Sequence, residues 1–413
     1  MNISFNPLVR VRTVTAFVNL SADEAHWQAG LTQAKQQCDA VADAIEARGY
    51  QVQSIRIVSN PFGEYLNVCG IDSALAGLQR IAETLNTINT INTGKRRIRF
   101  AVGEARNAQE VALLPQLIAA YGDLCNACVN IDLDEHGFLQ TDLLAHSVQA
   151  IQQIARTTPR GEGNFNFTVN FNCAPGIPYF PASYHRGKHH GALVLGLETP
   201  DLMVAELQQL QQQRLQLDHA AWFRLAFERL SQTLNEHATA IQRCADGVTL
   251  AEGWHIAGMD TSAAPSKSCA SMVDVYQLLG VPCFGASGTV EASALLTRVF
   301  KSVSGVTQIG FSGLMLAVTE DEGLAQASLN DEFDIRALLT YSSVCGIGLD
   351  TVPVPGDSSA EQIAAVMRDT GTMAFRLNKP LTVRLFPVPG LKAGDRTAFE
   401  SADLCNCAVL ALP

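Results

Sequence analysis

An α/β architecture with a largely parallel sheet is predicted by three features of this chain. Short β-branched and apolar runs alternate with helical segments of ten to twenty-odd residues. Nearly half the residues are apolar (47%) and only 17% are charged, the balance of a well-filled core. The 413 residues contain no Pro/Gly/Ser linker long enough to mark a boundary, so 1–413 reads as one large domain.

The elements follow in order. Val11 to Leu20 reads as a strand, and Asp23 to Arg48 as a helix with Gly49 at its C-terminal cap. Gln51 to Val58 is a second strand and Ile71 to Asn86 a second helix. Ile98 to Val102, Ala105 to Tyr121, Ala127 to Leu133 and Leu143 to Ala155 continue the rhythm, and Phe165 to Phe171 and Ala192 to Leu197 add strands. A helical segment of about 199–244, with leucines recurring at three- and four-residue spacing, reads as one long helix or a broken pair. It serves either as a dimer arm or as a cover over the sheet.

Beyond it come a strand near Trp254 to Ala257 and helices over Cys269 to Leu279 and Thr289 to Val303. Strands near Thr307 to Gly310 and Leu314 to Val318 precede a helix over Asp334 to Tyr341. The series closes with a helix over Ser358 to Thr372 and strands over Leu381 to Phe386 and Ala408 to Leu412.

Charge and hydropathy exclude several classes. The net charge of −11 comes without a large basic cluster, which argues against nucleic acid and anionic membranes as partners. The one basic run, Lys95-Arg96-Arg97, reads as the solvated flank of a strand. No apolar stretch reaches the roughly 18–20 residues of a membrane span, and the N-terminus lacks a signal-peptide pattern. A cytoplasmic protein taking a small-molecule ligand, and forming a homo-oligomer such as a dimer, is the expectation.

The chain has eleven cysteines, an odd count that argues for reduced thiols rather than a disulfide framework. Cys125-Asn-Ala-Cys128 and Cys405-Asn-Cys407 invite a zinc reading. They lie far apart, and the first sits in an apolar strand-like run, so small packed thiols are expected.

Tyr341-Ser-Ser-Val-Cys345-Gly-Ile-Gly-Leu-Asp350-Thr-Val-Pro-Val-Pro-Gly-Asp357 is the segment richest in chemistry. A cysteine before Gly346-Ile-Gly348 suits a sharply bent loop, because glycine reaches positive φ without a Cβ clash. Pro353 and Pro355 remove two backbone donors, so the exit is not an ordinary central strand. Cys345 reads either as an active thiol or as a packed structural one.

With other landmarks, this segment resembles domain-of-unknown-function family 711. The landmarks are Arg12-Thr-Val-Thr15, Val52-Gln-Ser-Ile-Arg56 leading to Asn60-Pro-Phe62, and Phe180-Pro-Ala-Ser-Tyr-His185. Gly258-Met-Asp260-Thr-Ser-Ala-Ala-Pro265, Phe284-Gly-Ala-Ser-Gly-Thr289 and Gly310-Phe-Ser-Gly313 follow, then Lys379-Pro-Leu-Thr-Val-Arg384 through Gly390 to Gly394-Asp395. The resemblance implies a PFL-like α/β barrel of two half-sheets with outer helices, its central loop bearing the Cys-Gly motif. It implies no particular reaction. Glycyl-radical chemistry is not expected, because Arg384-Leu-Phe-Pro-Val-Pro-Gly390 departs from an Arg-Val-x-Gly-aromatic loop.

The expected site therefore combines Cys345 as nucleophile or thiol acid/base with His185 as proton carrier. Asp260 and Asp350, carboxylates at strand ends with no evident capping task, would hold substrate or a divalent cation. Arg384 would be the counter-ion of an anionic substrate, with Gly346, Gly348 and Ser312 beside it. Asp321 and Asp357 read instead as helix caps. The turn 284–289 reads as a tight loop, with anion binding at the helix start as the alternative. The expected function is an enzyme acting on a small anionic metabolite inside the barrel. A ligand sensor on the same scaffold and a divalent-metal enzyme with a structural Cys345 are the rivals.

Overall fold

A computed structural model describes residues 5–91 and 96–413. Among these described residues nine strands form one hydrogen-bonded sheet: β1 (Arg10–Val18), β2 (Ser54–Ser59), β3 (Arg97–Glu104), β4 (Asn126–Ile131), β5 (Phe167–Phe171), β6 (Ala192–Glu198), β7 (His255–Asp260), β8 (Gly348–Pro355) and β9 (Leu381–Val388). Their order across the sheet is β7-β6-β1-β2-β3-β4-β5-β9-β8. Strands β1 to β5 run parallel, while β6 is antiparallel to β1 and β9 antiparallel to β5. The edge strands β7 and β8 run parallel to their neighbours β6 and β9. The strands thus fall into two sets of opposite direction. One irregular segment, 307–319, touches both edges: Gln308 bridges Met259 of β7 and Ala317 bridges Asp350 of β8.

The helices of the first half are α1 (Trp27–Glu46), α2 (Ile71–Ile91), α3 (Ala108–Tyr121) and α4 (Thr141–Thr157). The long helical segment breaks at Leu215–Asp218 into α5 (Pro200–Arg214) and α6 (His219–Asp246), the second capped by Asp218. Then come α7 (Met272–Leu279), α8 (Thr289–Lys301), α9 (Glu322–Leu329), α10 (Ile335–Ser342) and α11 (Ala360–Arg376). None is long and apolar enough to cross a membrane, among the described residues.

Strand alternation explains where the core sits. Ile55 and Ile57, Phe100 and Val102, Val129 and Ile131, and Val169 and Phe171 share one large apolar core with the helices. The intervening positions face the other way and are unusually polar: Arg56, Arg99, Asn126, Asn130, Thr168, Asn170, Thr382 and Arg384 are all buried. In β1 the register shifts between Val11 and Thr13. Val9 and Val11 before the shift, and Val14, Ala16 and Val18 after it, all join the helix-side core. The bulge therefore leaves both Arg12 and Thr13 on the interior face.

Several expectations need amending. Pro353 and Pro355 lie in a strand, β8, rather than in a loop, but it is the last strand of the sheet and not a central one, as their missing donors require. Segments 307–310, 314–318 and 408–412 make only isolated bridges rather than strands. Asp357 does not cap α11; Ser359 does, in a reciprocal capping box with Gln362. Asp321 caps α9 as expected and also accepts from Met272 N at 2.8 Å. Lys95 lies outside the described residues, but Arg96 is no solvated flank. It is buried, paired with Asp39, Asp43 and Glu46 of α1.

Candidate functional site

The interior face of the sheet borders a small cavity, with about 40 Å³ of room for water-sized molecules. Arg12, Arg56, Thr168, Asp350, Thr382 and Arg384 reach it from β1, β2, β5, β8 and β9. The loop 179–182, Ala264 and Pro265, and the segment 311–320 complete the wall, contributing mostly apolar side chains and Glu320.

Four buried or half-buried arginines gather on this face, and their pairing differs. Arg384 donates from Nε to Asp350 Oδ1 at 2.6 Å, from Nη2 to Glu320 Oε1 at 2.5 Å, and from Nη1 to Phe165 O at 3.2 Å. Burial works against its cation, and Asp350 and Glu320 more than offset that, so its pKa is held up. Arg12 donates to Gln53 Oε1 at 3.0 Å and Glu198 Oε2 at 3.4 Å and approaches Glu320 at 4.0 Å. Arg99 stacks on Phe165 and lies 3.8 Å from Asp403, its Nε unpartnered.

Arg56 is the exception. It is 6% exposed and makes no hydrogen bond and no ion pair among the described residues. Its guanidinium stacks over the Phe180 ring at 5.1 Å and lines the cavity. Burial, then Arg99 and Arg12, push its pKa well below that of an ordinary arginine. A desolvated, uncompensated guanidinium is costly in an empty protein. The arrangement can accept a negative charge.

The expected site residues distribute unevenly. Asp350 and Arg384 meet at the cavity, but Arg384 is already paired there, with Asp350 and Glu320. Burial raises the Asp350 pKa; Arg384 opposes this and Glu320 adds to it. Asp260 ends β7 and clamps the next loop: its carboxylate accepts from Ser262 N and Oγ, Phe311 N and Ser312 N. Its pKa is pushed up to about 6 by burial, against those donors. Asp260 and Asp350 are linked through the segment 307–319, which bridges both of their strands.

Ser312 has positive φ, and its Oγ donates to Ile309 O at 2.8 Å, so it shapes the turn. Gly346 and Gly313 let two loops touch: a Cβ on Gly346 would sit 2.8 Å from Gly313 Cα. Gly348 has φ +95, and a Cβ there would lie 2.5 Å from Thr382 O.

Cys345 is 1% exposed and belongs to the core between sheet and helices, whereas Ile347, two residues on, belongs to the cluster around Tyr179, Phe311 and Met315 at the cavity. His185 is fully buried elsewhere, its Nε2 on Val18 O at 3.1 Å and its ring edge-on to Phe17. Burial lowers its pKa to about 4. The fold brings neither Cys345, His185 nor Asp260 into the cavity lining that Asp350 and Arg384 share.

Cys125 and Cys128 are buried, and burial raises both thiols. Cys405 and Cys407 are buried too, pushed up to about 11 and about 12 by burial. No group of three or more His, Cys, Asp or Glu placed to hold a metal occurs among the described residues.

Sequence reasoning did not single out Arg56 and Arg12, which line the cavity, nor Arg99 on the same face outside its lining. The signal was present in Ser54-Ile-Arg-Ile-Val-Ser59 and Arg97-Ile-Arg-Phe100, where an arginine interrupts a run that reads as a parallel strand buried on both faces. A charge there must find a partner or a ligand.

A family model described as "Uncharacterised ACR (DUF711)" matches residues 5–400. The chain is 30% identical over 270 residues to a UPF0210 protein of Pyrobaculum arsenaticum, covering 63% of this chain and 58% of that protein. It is 29% identical over 321 residues to one from Oleidesulfovibrio alaskensis, covering 73% and 66%. With one from Lactobacillus helveticus it shares 24% over 369 residues, 87% and 79% of the two chains. The chain spans between half and two thirds of the length of the first of these relatives.

Proposed function

The chain belongs to the DUF711 family, and from the chemistry of its interior face we propose that it binds a small anionic metabolite there and acts on it with carboxylate assistance. The observation that carries this reading is Arg56, a buried guanidinium without hydrogen bond or ion pair among the described residues, on a cavity that Asp350 and Glu320 also line. An anion placed on Arg56 supplies the missing charge, and it does so on the cavity that Asp350 lines, a carboxylate whose proton affinity is raised by burial and by the nearby Glu320. Asp350 is the proton carrier in this reading, with Arg384 orienting it. Cys345 enters as a packed structural thiol rather than a nucleophile. The PFL-like kinship is kept as a proposal about ancestry of the fold, supported by the two strand sets of opposite direction.

A ligand sensor on the same scaffold is the second reading. It is favoured by the engagement of both carboxylates with Arg384, which ties up the two bases that line the cavity.

The test begins with thermal unfolding of the wild-type protein and Arg56→Gln in a panel of small anions. At least one anion should raise the wild-type Tm by several degrees in a saturable manner, and Arg56→Gln should abolish the effect. Indifference of the wild type to every anion, or equal responses of the two proteins, overturns the proposal. Incubation with a metabolite extract, followed by mass spectrometry, then separates enzyme from sensor. An enzyme consumes a metabolite that Asp350→Asn binds but leaves intact; a sensor enriches it unchanged.

A further inference from the structure

A knob and a groove, both apolar, lie side by side on a face that shares no residue with the cavity beside Arg56. The knob is the turn between β4 and α4. Leu133 bridges Leu139 across it, and Asp134 N donates to Phe138 O at 2.7 Å. Asp134 Oδ1 accepts from His136 N and Phe138 N, each at 2.9 Å, and Gly137 closes the bend at φ +83. Leu139 packs on α11, where a Cβ added to Gly371 would lie 2.9 Å from its side chain. Alternation turns Phe138 the other way, and it is 71% exposed.

The groove begins at the knob itself. Leu133 and Phe138 form one side, and Arg368, Thr372, Phe375 and Arg376 of α11 form the other. Leu377, the next residue, is exposed as well. Large apolar side chains gathered on one exposed face mark a docking surface. An aromatic ring whose turn is already fixed by hydrogen bonds loses little freedom on binding, which suits it as an anchor.

Charge identifies the occupant. The turn is acidic, with Asp132, Asp134 and Glu135 close together in sequence and Glu135 in solvent. The opposite side of the groove is basic. Arg368 is engaged with Glu361 at 2.5 Å, whereas Arg376 is exposed and makes no hydrogen bond or ion pair among the described residues. The face thus carries a knob and a hole, an acid and a base. A second copy of the chain, related by a two-fold axis through this face, supplies the complement of all four at once, because in an isologous pair each patch meets itself reversed. An anionic membrane would meet the acidic turn and be repelled.

We propose that this face is the interface of a homodimer, with Phe138 of each copy seated in the groove of the other and Glu135 facing the other copy's Arg376. The helix pair α5 and α6 is the rival arm. Yet α6 buries its apolar stripe, Trp222, Leu230, Leu234 and Ile241 among it, and packs on α1, α5 and α8 of its own chain. Only Leu215 and Leu217, at the break between the two helices, are left exposed as large apolar side chains of that pair.

Analytical ultracentrifugation of the full chain over a micromolar concentration series tests the proposal. The wild type should sediment as a reversible dimer. Phe138→Asp should weaken that dimer by at least about thirtyfold, as loss of a central anchor does. Its circular dichroism should match the wild type, because the side chain it replaces is exposed. Glu135→Arg and Arg376→Glu should each weaken the dimer several-fold, and the double variant, which exchanges the two charges, should return close to the wild-type affinity. Should Phe138→Asp fail to fold, the charge exchange decides alone. A monomeric wild type would overturn the proposal, as would a dimer indifferent to Phe138→Asp. A dimer broken instead by Leu215→Asp would place the interface at the break between α5 and α6. Failure of the double variant to recover would overturn the pairing of Glu135 with Arg376.

Discussion

Arg384 Nε lies 2.6 Å from Asp350 Oδ1, and the same guanidinium reaches Glu320 from its other side. Buried Asp350 therefore depends on this one cation for neutralisation, and half-buried Glu320 shares it while also approaching Arg12 at 4.0 Å. Removing it should cost more than its own hydrogen bonds are worth, because Asp350 would be left desolvated and unpaired beside Glu320. Arg384→Met should destabilise the protein by about 3–5 kcal/mol in denaturant unfolding near neutral pH. Lowering the pH should recover part of that stability in the variant, as protonation of Asp350, already favoured by burial, removes the unpaired charge. A variant as stable as the wild type would mean that the two carboxylates are solvated.

Arg56, on β2 four strands along the sheet from β9, has the opposite problem, a cation with no acid. Arg56→Met keeps the length of the side chain and removes the uncompensated charge. The anion-free protein should gain on the order of 1–3 kcal/mol of stability. Loss of stability in anion-free buffer would show that Arg56 is already satisfied in the folded chain.

The contrast between these two arginines shows how far the sequence could be read. Strand positions were legible from the Ile-x-Ile and Phe-x-Val alternation of β2 and β3, since period two follows from the pleat. Arg384 was legible as a charge near Asp350. The state of each guanidinium was not, because pairing depends on which strands become neighbours. β9 lies between β5 and β8, beside Asp350; β2 lies between β1 and β3, where Arg56 is flanked in register by Thr15 and Arg99. The inward turn of Arg12 was hidden for a different reason. It requires a bulge in β1, and nothing in Val11-Arg-Thr-Val14 announces one. Cys345 looked reactive because of the glycines after it, yet those glycines are explained by backbone contacts with Gly313 and Thr382.

The close approach of Gly313 and Gly346 gives a packing prediction. A Cβ at either position would lie 2.8–2.9 Å from the other's Cα, in backbone that cannot yield as a side-chain tip does. Gly346→Ala should cost about 1–3 kcal/mol and disturb the cavity wall at Phe311 and Ile347. Gly390→Ala tests a different term. Gly390 has nothing within 4 Å of its added Cβ, so only its positive φ opposes the change, and the cost should be the smaller of the two. Equal costs would show that the loops can separate.

Thiol labelling separates packed from accessible cysteines. Cys69 is exposed, whereas Cys345 is 1% exposed within the helix-side core. Iodoacetamide at neutral pH should modify Cys69 in the native protein and reach Cys345 only after unfolding. Cys345→Ala should lower stability by roughly 1–2 kcal/mol through poorer packing and leave anion binding intact. Rapid native labelling of Cys345, suppressed by a bound anion, would restore the thiol to the site.

Asp260 and His185 make opposed contributions to the pH dependence of stability. Asp260 has a folded pKa raised to about 6 by burial, so the folded state holds its proton more tightly than the unfolded state. Its contribution is present at low pH and is lost as pH rises from the ordinary aspartate range through about 6. His185 has a folded pKa lowered to about 4, so the unfolded state binds its proton more tightly. Its contribution is present above the ordinary histidine range and is lost as pH falls from about 6.5 towards 4. Each is worth on the order of 3 kcal/mol across its window, and the windows overlap with opposite sign. In the wild type the two slopes should largely cancel between about pH 4 and 6. His185→Gln, which keeps a donor for Val18 O, should uncover the Asp260 slope, making the variant relatively more stable at pH 4.5 than at pH 6.5. Asp260→Asn should do the reverse, and it should also lower stability at every pH, because an amide cannot accept from Phe311 N, Ser312 N and Ser262 together as the carboxylate does. Denaturant unfolding of the three proteins across that pH range decides the matter. Parallel pH profiles in all three would mean that neither group changes its proton affinity on folding.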